Sequence, residues 1–233
     1  MVYAIGDVHG RSDLLQRMAE LIRDDLLARP GADPTVVLLG DYLDRGPDSR
    51  GVIEGLAVPG LFEAPVRALR GNHEEMLLTF LSGPEIGSMW RRNGAVETLY
   101  SYGVDVRDFK LARNLAETAE ELRYRLPASH LAFLESAPLS CAIGDYFFCH
   151  AGVRPGVALE EQRARDLLWI RDDFLGSSQT FPKIVVHGHT PVGEAEIHPN
   201  RINVDTGAYI SNRLSCLVLE GEQRRFLVAE PTR

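Results

Sequence analysis

The residues able to do chemistry gather in five short clusters, each closing an apolar run. Gly6-Asp7-Val8-His9-Gly10 follows Val2-Tyr3-Ala4-Ile5, and Gly40-Asp41-Tyr42-Leu43-Asp44-Arg45-Gly46 follows Val36-Val37-Leu38-Leu39. Gly71-Asn72-His73-Glu74 follows Val66-Arg67-Ala68-Leu69, His150-Ala151-Gly152 follows Tyr146-Phe147-Phe148-Cys149, and His187-Gly188-His189-Thr190 follows Ile184-Val185-Val186. Carboxylate, amide and imidazole groups in this mixture offer oxygen and nitrogen ligands, a donor set that suits Mn, Fe or Zn better than a thiolate-loving metal. Taken singly they say little: a lone histidine is more often a hydrogen-bonded structural residue, and Asp7 alone could equally cap the helix after it. Taken together, five strand ends carrying such groups point to a metal centre. The neighbouring glycines suit turns that need a positive φ or a close backbone approach.

These groups need a scaffold that brings strand ends together. After the first cluster, Leu14, Leu15, Met18, Leu21, Ile22 and Leu26 recur at helical spacing, and Asp33-Pro34 punctuates the chain before the second strand. Helices are expected over Ser49 to Leu56 and Met76 to Leu81. Strands alternating with helices imply βαβ units, in which ligands collect beyond the carboxyl ends of the strands. Residues 84–138 differ: Asn114 to Arg125 and His130 to Glu135 are helical in pattern and no evident metal ligand lies among them, so this stretch reads as a helical cap or insertion. The chain then returns to strands, ending with Ile202-Asn203-Val204 and Leu214 to Leu219. The expected fold is α/β, with two packed mixed β-sheets flanked by helices, in one catalytic domain over 1–233.

Bulk properties narrow the function. The formal charge of −8 argues against nucleic acid as a partner, because backbone binding needs Lys and Arg to neutralise many phosphates. Cys141, Cys149 and Cys216 show no CxxC pairing, and an odd count suggests reduced thiols and a cytoplasmic protein without disulfides. No basic stretch precedes a long apolar run at the start, so neither a signal peptide nor a membrane span is expected.

The motifs GDVHG at 6–10, GDYLDRG at 40–46, GNHE at 71–74, HAG at 150–152 and GHT at 188–190 together resemble the ordered signature of the calcineurin-like metallophosphoesterase superfamily. GDYLDRG and GNHE are specific to its PPP-type serine/threonine phosphatases, and length and spacing are most similar to the small bacterial and bacteriophage members. The resemblance runs from Gly6 to about Tyr209, loosely across the middle insertion. It implies a four-layer sandwich and two divalent ions, Mn²⁺ first, with Fe, Zn or Ni as alternatives. It also implies that Asp7 and His9 bind the first ion, that Asp41 bridges, and that Asn72, His150 and His189 bind the second. A hydroxide bridging ions ~3.5–4 Å apart would attack phosphorus directly. His187 is set aside because the family's ligand directly precedes the threonine, and because alternation along a strand turns His187 to the other face. Many relatives carry GHxH, whereas Pro191 stands at the last position here, which leaves the first ion fewer protein ligands.

The same resemblance pairs His73 with Asp44, a carboxylate that orients the imidazole and favours its protonated form for giving a proton to the leaving group. Arg45 and Arg171 correspond to phosphate-binding arginines, whose forked guanidinium groups match the nonbridging oxygens. Asn72 and Tyr209, the latter in Asp205-Thr206-Gly207-Ala208-Tyr209, complete the groups expected to face substrate. Trp90, Asn93 and Gly94, with Arg91 and Arg92 beside them, could line its approach; an ordinary packed tryptophan is the plainer reading. Gly188 and Thr190 are expected to shape the loop that presents His189. The expected substrate is a phosphoprotein or phosphopeptide bearing phosphoserine or phosphothreonine, with phosphotyrosine also admissible. The alternatives are a symmetrical dinucleoside tetraphosphate hydrolase and a non-catalytic binding protein; intact Asp41, Asp44, His73 and both arginines speak against the last.

Overall fold

Strand periodicity decides the architecture of the chain, whose computed structural model describes residues 1–231. In β1 (Val2–Ile5), Val2 and Ala4 face one way and Tyr3 and Ile5 the other, yet all four are buried. Strands that are apolar on both faces must be covered on both faces. β2 (Thr35–Leu38) repeats the pattern: Val37, with Leu39 just beyond the strand, joins one apolar cluster, and Val36 and Leu38 join the other.

The first sheet runs β10-β9-β1-β2-β3, with β1, β2 and β3 (Val66–Ala68) parallel and β9 (Leu214–Glu220) antiparallel to β1 and to β10 (Gln223–Ala229). The second runs β4-β5-β6-β8-β7, with β5 (Tyr146–Cys149), β6 (Ile184–His187) and β8 (Arg201–Asn203) parallel. β4 (Ser140–Ile143) and β7 (Glu196–Ile197) close it antiparallel at its edges. Between the sheets lie Val2, Ala4, Val37, Leu39, Phe148 and Val186 with their neighbours. The fold is therefore α/β with two mixed five-stranded sheets flanked by helices.

Outside the first sheet pack α1 (Ser12–Leu27), α2 (Ser49–Ala57) and α3 (Asn72–Ser82). The segment between β3 and β4 continues through α4 (Gly87–Arg92), α5 (Ala95–Ser101), α6 (Arg107–Lys110), α7 (Leu115–Arg125) and α8 (Ala128–Ser136). Its Trp90, Leu99, Phe109 and Leu122 are buried in the same cluster as Tyr3 and Met18, so these helices share the main core. Outside the second sheet, α9 (Ala164–Trp169) and α10 (Asp172–Leu175) cover Phe147 and Val185 with Leu167 and Phe174. A last short helix, α11 (Ala208–Ser211), joins β8 to β9. Among the described residues no helix is long and apolar enough to cross a membrane.

The central strands and the longer helices follow the apolar patterning, though α3 begins at Asn72 rather than Met76; the short helices α4, α5, α6, α9, α10 and α11 and three strands are additions. β4, β7 and β10 lack a strong alternating signal, being edge strands that are only partly covered. Cys149 and Cys216 are buried in different sheets, and all three cysteines are free thiols.

Candidate metal centre and active site

The loops after β1, β2, β3, β5 and β6 meet at one end of the two sheets, and five of their non-glycine residues sit in the left-handed region. These are His9 (φ 44°), Asp41 (53°), Asp44 (70°), Arg45 (67°) and His189 (67°). Each such residue costs of order 1–3 kcal/mol, a strain that persists only where the surroundings impose it. Close approach adds to it: a Cβ on Gly188 would stand 2.0 Å from Asp7 Oδ1, so only glycine lets the His189 loop cross there.

The side chains so placed converge. His150 Nε2 lies 2.9 Å from Asn72 Oδ1, 3.1 Å from His189 Nδ1 and 3.3 Å from Asp41 Oδ1. His9 Nε2 lies 3.5 Å from Asp41 Oδ2, which faces the other side of the same carboxylate. Backbone carbonyls set the tautomers: Nδ1–H of His9 donates to Leu43 O at 2.7 Å, and Nδ1–H of His150 to Leu39 O at 3.0 Å. Each Nε2 therefore presents a lone pair to the centre, as a ligating histidine with a fixed outer partner does. Asp7 is held through Oδ2, which accepts His189 N–H at 3.0 Å, while its Oδ1 is buried without a donor.

Lone pairs of Asp41, Asn72 and His150 thus converge, with His189 Nδ1 beside them, and Asp7 Oδ1 stands unpaired. A donor set of this kind fits cations, and a buried orphan acceptor costs about 1–3 kcal/mol without one. The close ligand groups are His9, Asp41 and His73, and Asp41, His150 and His189, joined through Asp41. His73 enters the first group by proximity, but its Nδ1 is committed to Asp44 and its Nε2 to Arg45. Asp7, with its free oxygen, is the better third partner of His9 and Asp41.

Electrostatics agree with that assignment. Burial, with the charges of Asp205 and Asp41, pushes Asp7 well above the usual carboxylate range, and burial raises Asp205 to about 6. Burial also works to raise Asp41, but His150, His73 and His9 outweigh it and hold Asp41 well below its ordinary value. His9 is lowered by burial and by His73, and His189 falls to about 2 for burial and His150, so both keep free lone pairs. Three buried carboxylates crowded together are an anionic hole that divalent ions would relieve.

His187 lies elsewhere. Its ring packs on Phe174 at 5.0 Å, outside the second sheet, and burial lowers it to about 3. Residues two apart on a strand face the same way, so it is the end of β6 at His187 and the left-handed φ of His189, 67°, that send the two rings apart, not strand alternation.

The dyad is formed. His73 Nδ1–H donates to Asp44 Oδ2 at 2.6 Å, and both side chains are buried. Burial works against a charge on His73, but Asp41 and Asp44 outweigh it and raise its pKa. Arg45 reaches over the centre, its Nη1 3.1 Å from His9 Nε2 and its Nη2 3.1 Å from His73 Nε2. Tyr209 is half-buried against it, with its ring centroid 4.9 Å from Arg45 Cζ and 5.2 Å from the His9 ring. Arg171 is exposed at the rim and donates to Thr190 Oγ1 at 3.1 Å.

Within segment 89–94, Trp90, Asn93 and Gly94 bond back into the fold rather than to the approach. Trp90 is fully buried, and its indole N–H donates to Asp44 Oδ2 at 2.7 Å from beneath. Gly94 O accepts the Arg45 N–H at 3.1 Å, and Asn93 caps its own helix on Met89 O. Arg91 reaches back to Lys110 O. The segment supports the site because its tryptophan is large and apolar enough to be drawn into the core.

Two positioning residues escape sequence reasoning. Thr98 Oγ1 donates to Asp44 Oδ1 at 2.5 Å and accepts the Asp44 N–H at 2.9 Å, across 54 residues of chain. Nothing in the local sequence signals that pairing. Glu74, buried at the start of α3, accepts N–H bonds from Gly71, Asp41 and Tyr42 at 2.8–2.9 Å, and burial with Asp41 raises it to about 7. Its capping-box position was a usable signal for the first of those bonds.

A double sheet with a mixed oxygen and nitrogen site, an oriented imidazole and converging arginines defines the class of metal-dependent phosphoester hydrolases. The chain belongs to the calcineurin-like phosphoesterase family, which matches residues 1–216. The asymmetrical bis(5'-nucleosyl)-tetraphosphatase of Bacillus velezensis is 27% identical over 238 residues, covering 91% of this chain and 86% of its own. Serine/threonine-protein phosphatase 1 of Salmonella typhimurium is 29% identical over 224 residues, covering 92% and 89%. A solved structure provisionally assigned as a diadenosine tetraphosphatase superposes with a TM-score of 0.61 at 22% identity, over 98% of this chain and 93% of that one. At that identity the likeness speaks to the fold.

Proposed function

We propose that the protein hydrolyses phosphate monoesters of serine and threonine in phosphoproteins, with Asp7, His9 and Asp41 holding one divalent ion and Asp41, Asn72, His150 and His189 a second. The observation that carries the reading is the buried Asp44–His73 pair, 2.6 Å apart, with His73 Nε2 turned to the centre. An alkoxide is a poor leaving group and needs a proton as the P–O bond breaks. With the Arg45 guanidinium drawn onto phosphate oxygens, Nε2 is released from it, and the protonated ring gives up the Nε2 proton while Nδ1–H stays on Asp44 and keeps the ring in place. Arg45 and Arg171 grip the nonbridging oxygens, and Tyr209 holds the Arg45 fork from its side. Bound divalent ions, Mn²⁺ first, would supply Lewis acidity and lower the pKa of a water to near ~7. Phosphotyrosine would be accepted where the rim is open.

A second reading is favoured by the tetraphosphatase relative: hydrolysis of dinucleoside tetraphosphates. That relative is of the asymmetrical kind, so asymmetrical cleavage replaces the symmetrical cleavage expected from sequence. Steady-state hydrolysis with added Mn²⁺ of a phosphothreonine peptide and of diadenosine tetraphosphate separates the two. A higher kcat/KM for the peptide supports the protein phosphatase; a higher value for the dinucleotide overturns it and leaves the metal centre standing. The reading takes 1–233 as one catalytic unit, with 84–138 supplying Trp90 and Thr98 beneath Asp44, and places it in the cytoplasm.

A further inference from the structure

Beside the metal centre a hollow of about 550 Å³ is lined by Arg154, Arg163, Arg165 and Arg171, with Trp169 on its wall. Two of its carboxylates, Asp166 and Asp173, are both bound to Arg154, at 2.7 and 2.8 Å. Among the described residues Arg163, Arg165 and Arg171 have no carboxylate partner, against one free carboxylate in the hollow, Asp172. On a chain of net charge −8 this is a local reversal of sign.

A second groove of about 380 Å³ shares Trp169 and Arg165 with the hollow and is walled by Met76, Ile86 and Met89, with Thr79 and with Glu75, whose carboxylate is paired to Arg70. Trp169 is 36% exposed, its ring centroid 6.1 Å from that of His189. An aromatic face, an apolar wall and guanidinium groups beyond the one at the rim therefore adjoin the catalytic end. A single phosphoryl group held by Arg45 and Arg171 leaves Arg163 and Arg165 without a counter-ion, so the hollow fits a ligand with more than one phosphate.

We propose that Trp169, Arg165 and Arg163 form a subsite for a nucleoside polyphosphate, its base on Trp169 against Met89 and Ile86 and its phosphates passing Arg163 and Arg165 toward Arg171. This deepens the second reading, hydrolysis of a dinucleoside tetraphosphate, and rests on it for turnover but not for binding. Base stacking on an aromatic side chain contributes about 1–3 kcal/mol, and guanidinium forks suit phosphate oxygens. An acidic peptide could meet the arginines but would leave the flat face of Trp169 without a matching ring.

Trp169 reports on its own occupancy, because the only other tryptophan, Trp90, is fully buried. The full-chain, metal-loaded protein is titrated with α,β-methylene-ADP, whose P–C–P bridge resists hydrolysis, with fluorescence and calorimetry read together. The expected result is saturable binding with a change in tryptophan emission, weakened at least ~10-fold in Arg165→Gln and for adenosine or methylenediphosphonate alone. The emission change is absent in Trp169→Phe. Methylenediphosphonate binding as tightly as the nucleotide, no loss in Arg165→Gln, or tighter binding of an acidic peptide would each overturn the subsite. Nucleotide binding without turnover of any phosphoester would support it while refuting the phosphoesterase reading.

Discussion

Asp44 accepts from three side chains at once: His73 Nδ1–H, the Trp90 indole N–H and the Thr98 hydroxyl. A carboxylate so fully occupied cannot turn, and through it the imidazole cannot turn either. His73→Ala is therefore expected to lower kcat on a phosphothreonine peptide by ~10²–10⁴ with metal content unchanged. Unaltered turnover beside normal metal analysis would remove His73 from the mechanism. Thr98→Val keeps the shape but strips one partner each from Asp44 Oδ1 and Asp44 N–H, a loss of about 1–3 kcal/mol in stability by urea unfolding. Because Thr98 does not touch substrate, kcat should fall while KM stays near its starting value. A rise in KM alone would mean that Thr98 acts on binding.

At the scale of elements, the side chains proposed to hold metal leave the carboxyl ends of strands, on loops or, for Asn72, on the first residue of α3, and these segments brace one another. Glu74 at the start of α3 ties the loop after β2 to the loop after β3. His189 N–H ties the loop after β6 to Asp7, after β1. Gly188→Ala tests the second brace, since its Cβ would displace Asp7 Oδ1, 2.0 Å away. Mn²⁺ affinity by calorimetry is expected to fall ~10–100-fold, the usual penalty for disturbing a ligand's support. Retained affinity would show that Asp7 is not a ligand. Strand interiors such as β1 and β2 were readable as apolar runs because both faces are buried, whereas the separation of His187 from His189 came only with the turn at the end of β6. Edge strands β4, β7 and β10 were not readable, being half-covered, although β3, at the other edge of the first sheet, was; Trp90 read as a packed residue or a rim residue until its hydrogen bond to Asp44 placed it under the Asp44–His73 pair.

For the whole molecule, ions that bind only the folded state stabilise it by mass action. Mn²⁺ at 100 times its Kd contributes about 2.7 kcal/mol, which for a chain of this size raises Tm by roughly 5–10 °C. Differential scanning calorimetry with and without chelator checks it, and an unmoved Tm would count against a buried metal centre. Far from the site, Asp25 links α1 to the first sheet by accepting from Tyr3, Arg29 and Arg225. Burial works to raise its pKa, but the bonds from Arg225 and Tyr3 and the charge of Arg29 outweigh it and hold it below the ordinary value. A depressed folded-state pKa means stability that is present above the unfolded value of ~3.9 and lost as pH falls through the folded one. Asp25→Asn should thus destabilise at pH 7 by about 1–2 kcal/mol, with the gap to the unmutated chain closing as pH falls below the unfolded value and through the lower folded one. A gap independent of pH would mean that packing, not charge, is what the substitution removes.

Sequence by itself determined the ligand types, their attachment to strand ends and the alternation that buries both faces of the central strands, because these follow from side-chain chemistry and a two-residue repeat. It also determined the pairing of the DRG and GNHE motifs as one chemical unit, through their resemblance to a known family. Tertiary structure alone decided which atoms face one another. Asp7 Oδ1 is left without a donor, Thr98 and Trp90 meet Asp44 across some fifty residues, and Trp169 stands beside His189 with the arginines next to it. Contacts of that kind depend on how two sheets and their helices pack, and packing is a property of the whole chain that no local stretch of residues encodes.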